Sequence, residues 1–235
     1  MVDRLDKAFE KEKRFTSDAS HELRTPVAVI SAQCEYTLES PRDTEEYIEA
    51  LEVISRQTQR MSALINDMLY LSRFENKKAQ YIFEEFDFSA CVSQICKDIS
   101  LIENKGIQLS YDISNGIFFN GEKELLERMI LNLIGNAYKY GKENGEIKVT
   151  LQKVDGVNIK LSVSDNGIGI SDSEKEKIFE RFYRSDKSRS ESGTGLGLSL
   201  ALEIAKLHGG DILLESVLGV GSTFTFVCPA SPKDK

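Results

Sequence analysis

Residues 51–72 read LEVISRQTQRMSALINDMLYLS, with Leu51, Ile54, Thr58, Met61, Ile65, Met68 and Ser72 recurring at alternating spacings of three and four. That period is a heptad seam along one side of a long helix. Toward the N-terminus, Leu23, Val27, Ile30, Cys34 and Leu38 keep a compatible spacing. Between the two runs, Ser40-Pro41-Arg42-Asp43 breaks the period with a proline and helix-capping residues. Two long helices joined by so short a break lie antiparallel, so the spacing predicts a helical hairpin over residues 1–78. A hairpin alone has too little core to be stable. A second copy of the chain completes a dimeric four-helix bundle, and a homodimer is therefore expected.

From about residue 79 the period changes. A helix is expected from Ser89 to about Asn104, and Ile107 to Ile113 alternates like a strand. A second helix runs from about Glu122 to Tyr140. The stretches 146–154 and 157–163 alternate around Asp155-Gly156, a strong two-residue hairpin signal. A helix from about Leu198 to Leu207 stops at Gly209-Gly210, and strands follow at 211–216 and 222–228. This order predicts a mixed sheet with helices on one face, an α/β two-layer sandwich over residues 79–235. Residues 171–197, polar and irregular after a short helix around Phe179, have the length of a lid or binding loop.

With 38 acidic and 30 basic residues the chain carries a formal charge of −8, which argues against nucleic acid as a partner. An anionic ligand must then be held by local cations, for which Lys139, Lys142, Arg181, Arg184, Lys187 and Arg189 are candidates. No run approaches the ~20 apolar residues of a membrane span, and no secretion signal opens the chain. No direct membrane contact and a cytoplasmic location are expected. Cys34, Cys91, Cys96 and Cys228 form no C-x-x-C pair and have no histidine at metal-ligand spacing, so they read as small, partly buried thiols.

Four segments carry chemistry. In Ser20-His21-Glu22-Leu23-Arg24-Thr25-Pro26, Glu22 can fix the tautomer of the imidazole and sharpen it as a nucleophile. Thr25 shares the histidine's helical face, and Pro26 removes a backbone bond beside it. Asn132 and Asn136 stand on one helical face with Lys139 and Tyr140 a turn further on. Amide oxygens suit Mg²⁺ and lysine suits phosphate. Asp165-Asn166-Gly167-Ile168-Gly169-Ile170 follows a strand. Its carboxylate can accept from an exocyclic amine such as adenine's, and its glycines let a flat ring approach the backbone. Gly193-Thr194-Gly195-Leu196-Gly197-Leu198 opens a helix, the place where glycine-rich backbone receives phosphate. Neither a Rossmann fingerprint nor a Walker loop occurs. The only other histidine, His208 in Leu-His-Gly-Gly, reads as a helix stop.

In this order, the His21 segment, Asn132–Tyr140, Asp165–Ile170, Phe179–Arg184 and Gly193–Leu198 resemble the H, N, G1, F and G2 boxes of sensor histidine kinases. The resemblance covers roughly residues 10 to 230 and implies a phosphotransfer hairpin followed by a Bergerat-type ATP-binding domain. By position it implies His21 as phosphoacceptor and Glu22 as its base. Asn136 with Asn132 becomes the Mg²⁺ ligand, Lys139 and Arg184 phosphate contacts, Tyr140 a wall of the adenine site and Asp165 the adenine acceptor. Gly167, Gly169, Ile170 and residues 193–198 complete the nucleotide site. ATP and Mg²⁺ are the implied cofactors, and a response-regulator receiver domain is the implied partner. Thr25 implies a second, phosphatase activity toward that regulator, and Phe179, Phe182 and Tyr183 an anchor of lid to hairpin. Ser192 stands where many relatives have another glycine. The first residues resemble the end of a HAMP linker, which implies a membrane-spanning parent. One rival is a clamp ATPase of the Hsp90 or MutL type, which has no use for His21 on a hairpin. The other, a scaffold with a decayed site, conflicts with the intact motifs.

Overall fold

A computed structural model of the chain describes residues 2–75, 80–101, 106–155, 158–185 and 193–229. Two helices, α1 (Val2–Glu39) and α2 (Thr44–Glu75), form the hairpin, and α1 runs unbroken through Pro26. Their turn is closed by a capping box: Asp43 Oδ1 accepts from the Glu46 N–H at 2.9 Å, and Glu46 Oε2 accepts from the Asp43 N–H at 3.2 Å. Arg42 stacks 3.9 Å from the Tyr36 ring centre and donates to the Tyr36 carbonyl at 3.0 Å, clasping the two helix ends together.

The heptad seam of α2 does not lie wholly inside. Ile54, Met61 and Met68 are half-buried, whereas Leu51 and Ile65 are 64% and 43% exposed. The fully buried positions are Ala50, Leu64 and Leu71, a line one residue away from the seam. The helix is two-sided: one line faces the rest of the chain, and the other shows Ile48, Leu51, Ile65 and Leu69 to the outside with Val27 and Leu38 of α1.

The second part follows as β1 (Glu84–Asp87), α3 (Phe88–Ser100), β2 (Gln108–Ile113), β3 (Phe118–Gly121), α4 (Lys123–Tyr140), β4 (Glu146–Val154), β5 (Asn158–Asp165), a 3-10 turn at Lys177–Phe179, α5 (Gly197–Leu207), β6 (Asp211–Val217) and β7 (Gly221–Pro229). Five strands make one sheet in the order β2-β4-β5-β7-β6, with only β2 and β4 parallel. The predicted sandwich is therefore present. β1 and β3 pair separately, Glu84 opposite Gly121, in a small sheet that the sequence pattern does not announce. α3 stops at Ser100, and its expected end at Asn104 lies outside the described residues. Of the β4–β5 turn, Asp155 takes φ +54°, while Gly156 lies outside the described residues.

Alternation builds the core. β4 turns Ile147, Val149 and Leu151 inward, β5 turns Ile159, Leu161 and Val163, and β7 turns Phe224 and Phe226. α4 answers with Leu126, Met129, Ile130, Leu133 and Ile134, and α5 with Leu200, Ala201, Ile204 and Ala205. Each large side chain buried this way contributes ~1.5–3 kcal/mol. On the outer face of the sheet hydroxyls satisfy one another, Ser162 with Thr225 at 3.0 Å and Ser164 with Thr223 at 2.9 Å.

His208 caps α5, as its Leu-His-Gly-Gly setting predicts. It is fully buried, donating from Nδ1 to the Ile204 carbonyl at 2.7 Å and accepting at Nε2 from the Glu122 N–H at 3.0 Å. Burial holds it below the usual histidine range, so it serves as a neutral tie between the end of α5 and the start of α4. The four cysteines are free thiols, Cys34 half-buried and the others buried. Burial pushes Cys91 and Cys228 up to about 12, which makes them inert.

Candidate active site

A cavity of about 290 Å³ opens between α4, the loop after β5 and the start of α5. The i, i+4 spacing along α4 puts Asn132, Asn136 and Tyr140 on its wall, with Lys139 beside them. The loop contributes Asp165, Gly169 and Ile170, and the glycine-rich turn contributes Gly193, Thr194, Gly195, Gly197 and Leu198. Arg184 lines it as well. Four segments distant in sequence thus converge on one space.

Gly167 and Leu196 lie behind that wall rather than in it. The Gly167 N–H donates to Asp165 Oδ1 at 2.8 Å, and a Cβ at Gly167 would collide with the Tyr140 carbonyl oxygen. Gly169 has φ +65° and presses against the Val217 carbonyl of the β6–β7 turn, where Gly219 N–H donates to Ile168 O at 2.7 Å. Backbone against backbone fixes this floor, which is why the loop needs two glycines. Asp165 is drawn in two directions: burial raises its carboxyl above the usual range, while N–H groups of Gly167 and Ser222 counter the rise. A carboxylate so placed is aimed at a donor on whatever occupies the cavity.

At the opposite end, the Lys139 ammonium reaches to Gly193 and lies 4.8 Å from the Tyr140 ring. Asn132 Nδ2 is buried in the wall without a hydrogen-bond partner, a donor set for an acceptor from a ligand. Among the described residues no cluster of three or more His, Cys, Asp and Glu could hold a metal ion. A divalent ion at this site would rest on amide oxygen and on oxygens of a bound ligand, the donor set that suits Mg²⁺.

The other cations divide. Lys142 donates to the Gly219 carbonyl at 3.1 Å and braces the floor instead of facing the cavity. Arg181 lies 5.2 Å from the Phe15 ring of α1. Lys187, Arg189 and Ser192 lie outside the described residues. Phe182 takes φ +62°, unusual for a bulky side chain, and its N–H donates to the Gly195 carbonyl at 3.0 Å. Its ring lies 5.7 Å from that of Phe15, so one residue touches both the glycine-rich turn and the hairpin. Phe179 instead packs on Phe224 of the sheet at 6.3 Å, and Tyr183 bonds Glu174 at 3.4 Å.

His21, Glu22 and Thr25 are not in the cavity wall. His21 is exposed on α1, and among the described residues its ring has no hydrogen-bond partner. Glu22 turns to Arg60 of α2 at 3.5 Å rather than to the imidazole, and the Thr25 hydroxyl donates to the His21 carbonyl at 3.5 Å. Several wall residues carry no motif in the sequence, among them Leu131, Glu174, Ile178 and, from the hairpin, Asp67.

Hairpin and cavity together define a class of protein, a long helical hairpin joined to an α/β sandwich whose cavity is closed by a glycine-rich turn. Residues 11–77 match the family model described as His Kinase A (phospho-acceptor) domain, and residues 121–232 that described as Histidine kinase-, DNA gyrase B-, and HSP90-like ATPase. The chain is 37% identical over 227 residues to the sensor histidine kinase RppB of Synechocystis, covering 94% of this chain and 50% of that protein. Among solved structures, the Acinetobacter baumannii histidine kinase AdeS superposes with a TM-score of 0.71 at 25% identity, over 89% of this chain and 98% of that one. The histidine kinase ThkA, solved in complex with the response regulator protein TrrA, shares the fold at 22% identity and a TM-score of 0.75, over 99% of this chain and 67% of that one. The chain belongs to the sensor histidine kinases. It spans about half the length of RppB. Among the described residues no helix is long and apolar enough to cross a membrane.

Proposed function

We propose that the chain binds ATP in this cavity, moves the γ-phosphoryl group to His21, and passes it from phosphohistidine to an aspartate of a response regulator. The observation that carries this reading is the meeting of Asn136, Lys139, Asp165 and the Gly193–Leu198 turn around one cavity, in a chain whose hairpin displays a single exposed histidine. Asp165 accepts from the adenine amine, Tyr140 and Ile170 flank the ring, and Lys139, Arg184 and the backbone at the start of α5 face the phosphates. Asn136, joined by Asn132 when its amide is turned over, would hold Mg²⁺ against phosphate oxygens, where the ion neutralises charge on the transferring group.

In the transfer a lone pair of the neutral imidazole attacks the γ-phosphorus, the bond to the β-phosphate oxygen breaks, and ADP leaves. The proton on the other ring nitrogen passes to Glu22, which must first leave Arg60. His21 stands outside the cavity wall, so transfer requires the ATP domain (79–235) to move relative to the hairpin (1–78), or a histidine of a second copy. The exposed stripe of Leu51, Ile65, Leu69 and Val27 fits a second copy in a homodimer. The clamp-ATPase alternative finds no support in such a histidine.

Incubation with γ-labelled ATP and Mg²⁺ tests the reading. The label should be lost in acid and kept in base, as a phosphoramidate requires, and an acid-stable label would overturn it. Asp165→Asn should cost roughly 10- to 150-fold in ATP affinity, the scale of a buried hydrogen bond to a charged group. Unchanged discrimination between ATP and GTP in that variant would remove the adenine role. Thr25, one turn from His21, fits a second role in aligning water to hydrolyse the regulator's phosphoaspartate. Thr25→Ala should keep autophosphorylation and slow that hydrolysis about 10²-fold. Equal decay of the phosphorylated regulator with parent and variant would reduce Thr25 to a surface residue.

A further inference from the structure

Asp67 of α2 is the one hairpin residue among the described residues that line the nucleotide cavity. It is 8% exposed, and both its oxygens are engaged. Oδ1 pairs with the Arg128 guanidinium on α4, and Oδ2 accepts from the Thr194 hydroxyl at 3.4 Å. The same hydroxyl accepts from the Leu196 N–H at 3.3 Å, so the carboxylate sits at the backbone that opens α5. Arg128 is one turn ahead of Asn132 and lies 4.5 Å from the Tyr70 ring, a second grip from α2. Leu64 and Leu71, one turn to either side, are buried in the same apolar cluster as α4 and α5. The hairpin thus docks on the ATP domain along one line, and its single carboxylate there enters the cavity.

That location belongs to anions. Glycine-rich backbone at a helix start receives phosphate, and Asp67 presents a negative group to the same turn. A carboxylate and a triphosphate brought together in a partly buried space repel, and each is stabilised by the other's absence. We propose that Asp67 is an internal competitor of the nucleotide's phosphates: the hairpin docked through Asp67 and Arg128 weakens ATP binding, and ATP binding releases the hairpin. The proposal rests on the reading of the cavity as the ATP site. Linkage makes the effect reciprocal, since the factor by which docking weakens ATP is the factor by which ATP weakens docking. Release is also one of the two routes by which His21, exposed outside the cavity, can meet the γ-phosphoryl group.

Titration calorimetry on the full chain with Mg²⁺ present measures the coupling. Asp67→Asn keeps the shape of the side chain and removes its charge, and should tighten ATP binding by roughly ten-fold. Adenosine, which has no phosphates, should bind parent and variant alike, an outcome that general loosening of the structure would not give. A second measurement needs no change at Asp67. Spin labels at the exposed positions Ser62 of α2 and Gln152 of β4 should move apart when ATP is added to the otherwise unaltered chain. The Asn variant should show the longer separation before ATP is added. ATP binding that is unchanged or weaker in Asp67→Asn overturns the proposal, as does a separation that ignores ATP. If the parent chain binds no ATP, the reading of the cavity falls and the proposal with it. If the parent binds ATP while Asp67→Asn alters neither affinity nor separation, the competitor alone falls.

Discussion

His21→Ala should take up no phosphoryl label from γ-labelled ATP, while its affinity for ATP stays within about two-fold of the parent's. The two halves of this expectation come from separate parts of the structure. The cavity wall contains no atom of His21, so truncating an exposed imidazole on α1 leaves the nucleotide's contacts intact. The nucleophile, by contrast, has no substitute. His208, the second histidine, is fully buried with both ring nitrogens engaged, and cannot present a lone pair to a phosphorus atom. Loss of the attacking group removes the whole advantage of positioning it, several orders of magnitude in rate. Label retained on the alanine variant would place the acceptor elsewhere and end the assignment.

Gly169→Ala should nearly abolish ATP binding, a loss of about 10²-fold or more, whereas Gly209→Ala should leave binding unchanged. The two glycines make a matched pair. Both have positive φ, +65° and +75°, so an alanine at either carries a similar backbone cost of about 1 kcal/mol. They differ in space. Nothing lies within 4 Å of a Cβ at Gly209, while a Cβ at Gly169 meets the Val217 carbonyl. To admit the methyl group, the floor must part from the β6–β7 turn and give up the Gly219 to Ile168 hydrogen bond, which moves Ile170 and Asp165 with it. Thermal unfolding with calorimetry on both variants separates the backbone cost from the collision. Equal behaviour of the two alanine variants would show that the close approach does not constrain the site.

What could be read from the sequence was whatever local pattern controls. Period 3.5 in residues 51–72 marks a helix, and alternation in 146–151 marks a half-buried strand, because the chain's own geometry produces those periods. The seam in α2, the line expected to meet a second copy, lies one residue from the line buried within the chain, Ala50, Leu64 and Leu71. A helix with neighbours on two sides carries two apolar lines, and the sequence alone does not say which meets the rest of the chain. Glu84–Asp87 and Phe118–Gly121 were missed because four residues are too few to establish alternation. Of the motif residues in the ATP domain, Asn132, Asn136, Lys139, Tyr140, Asp165 and Arg184 reach the cavity with their side chains, while Gly167 serves it from behind, as a place where two backbones touch. Asp67 was out of reach of any local reading. Its partners Arg128 and Thr194 stand 61 and 127 residues away, and only the fold brings them together.

Phe182 holds a backbone conformation that glycine adopts freely and phenylalanine only at a cost of about 1–3 kcal/mol. Glycine there would relieve the cost, but it would lose the ring that rests against Phe15. The result is a wound spring set between the glycine-rich turn and the hairpin. Two contacts hold the conformation in place, the ring against Phe15 and the Phe182 N–H on the Gly195 carbonyl. A hairpin that withdrew from the ATP domain would take Phe15 away from this ring and remove one of the contacts that hold the conformation.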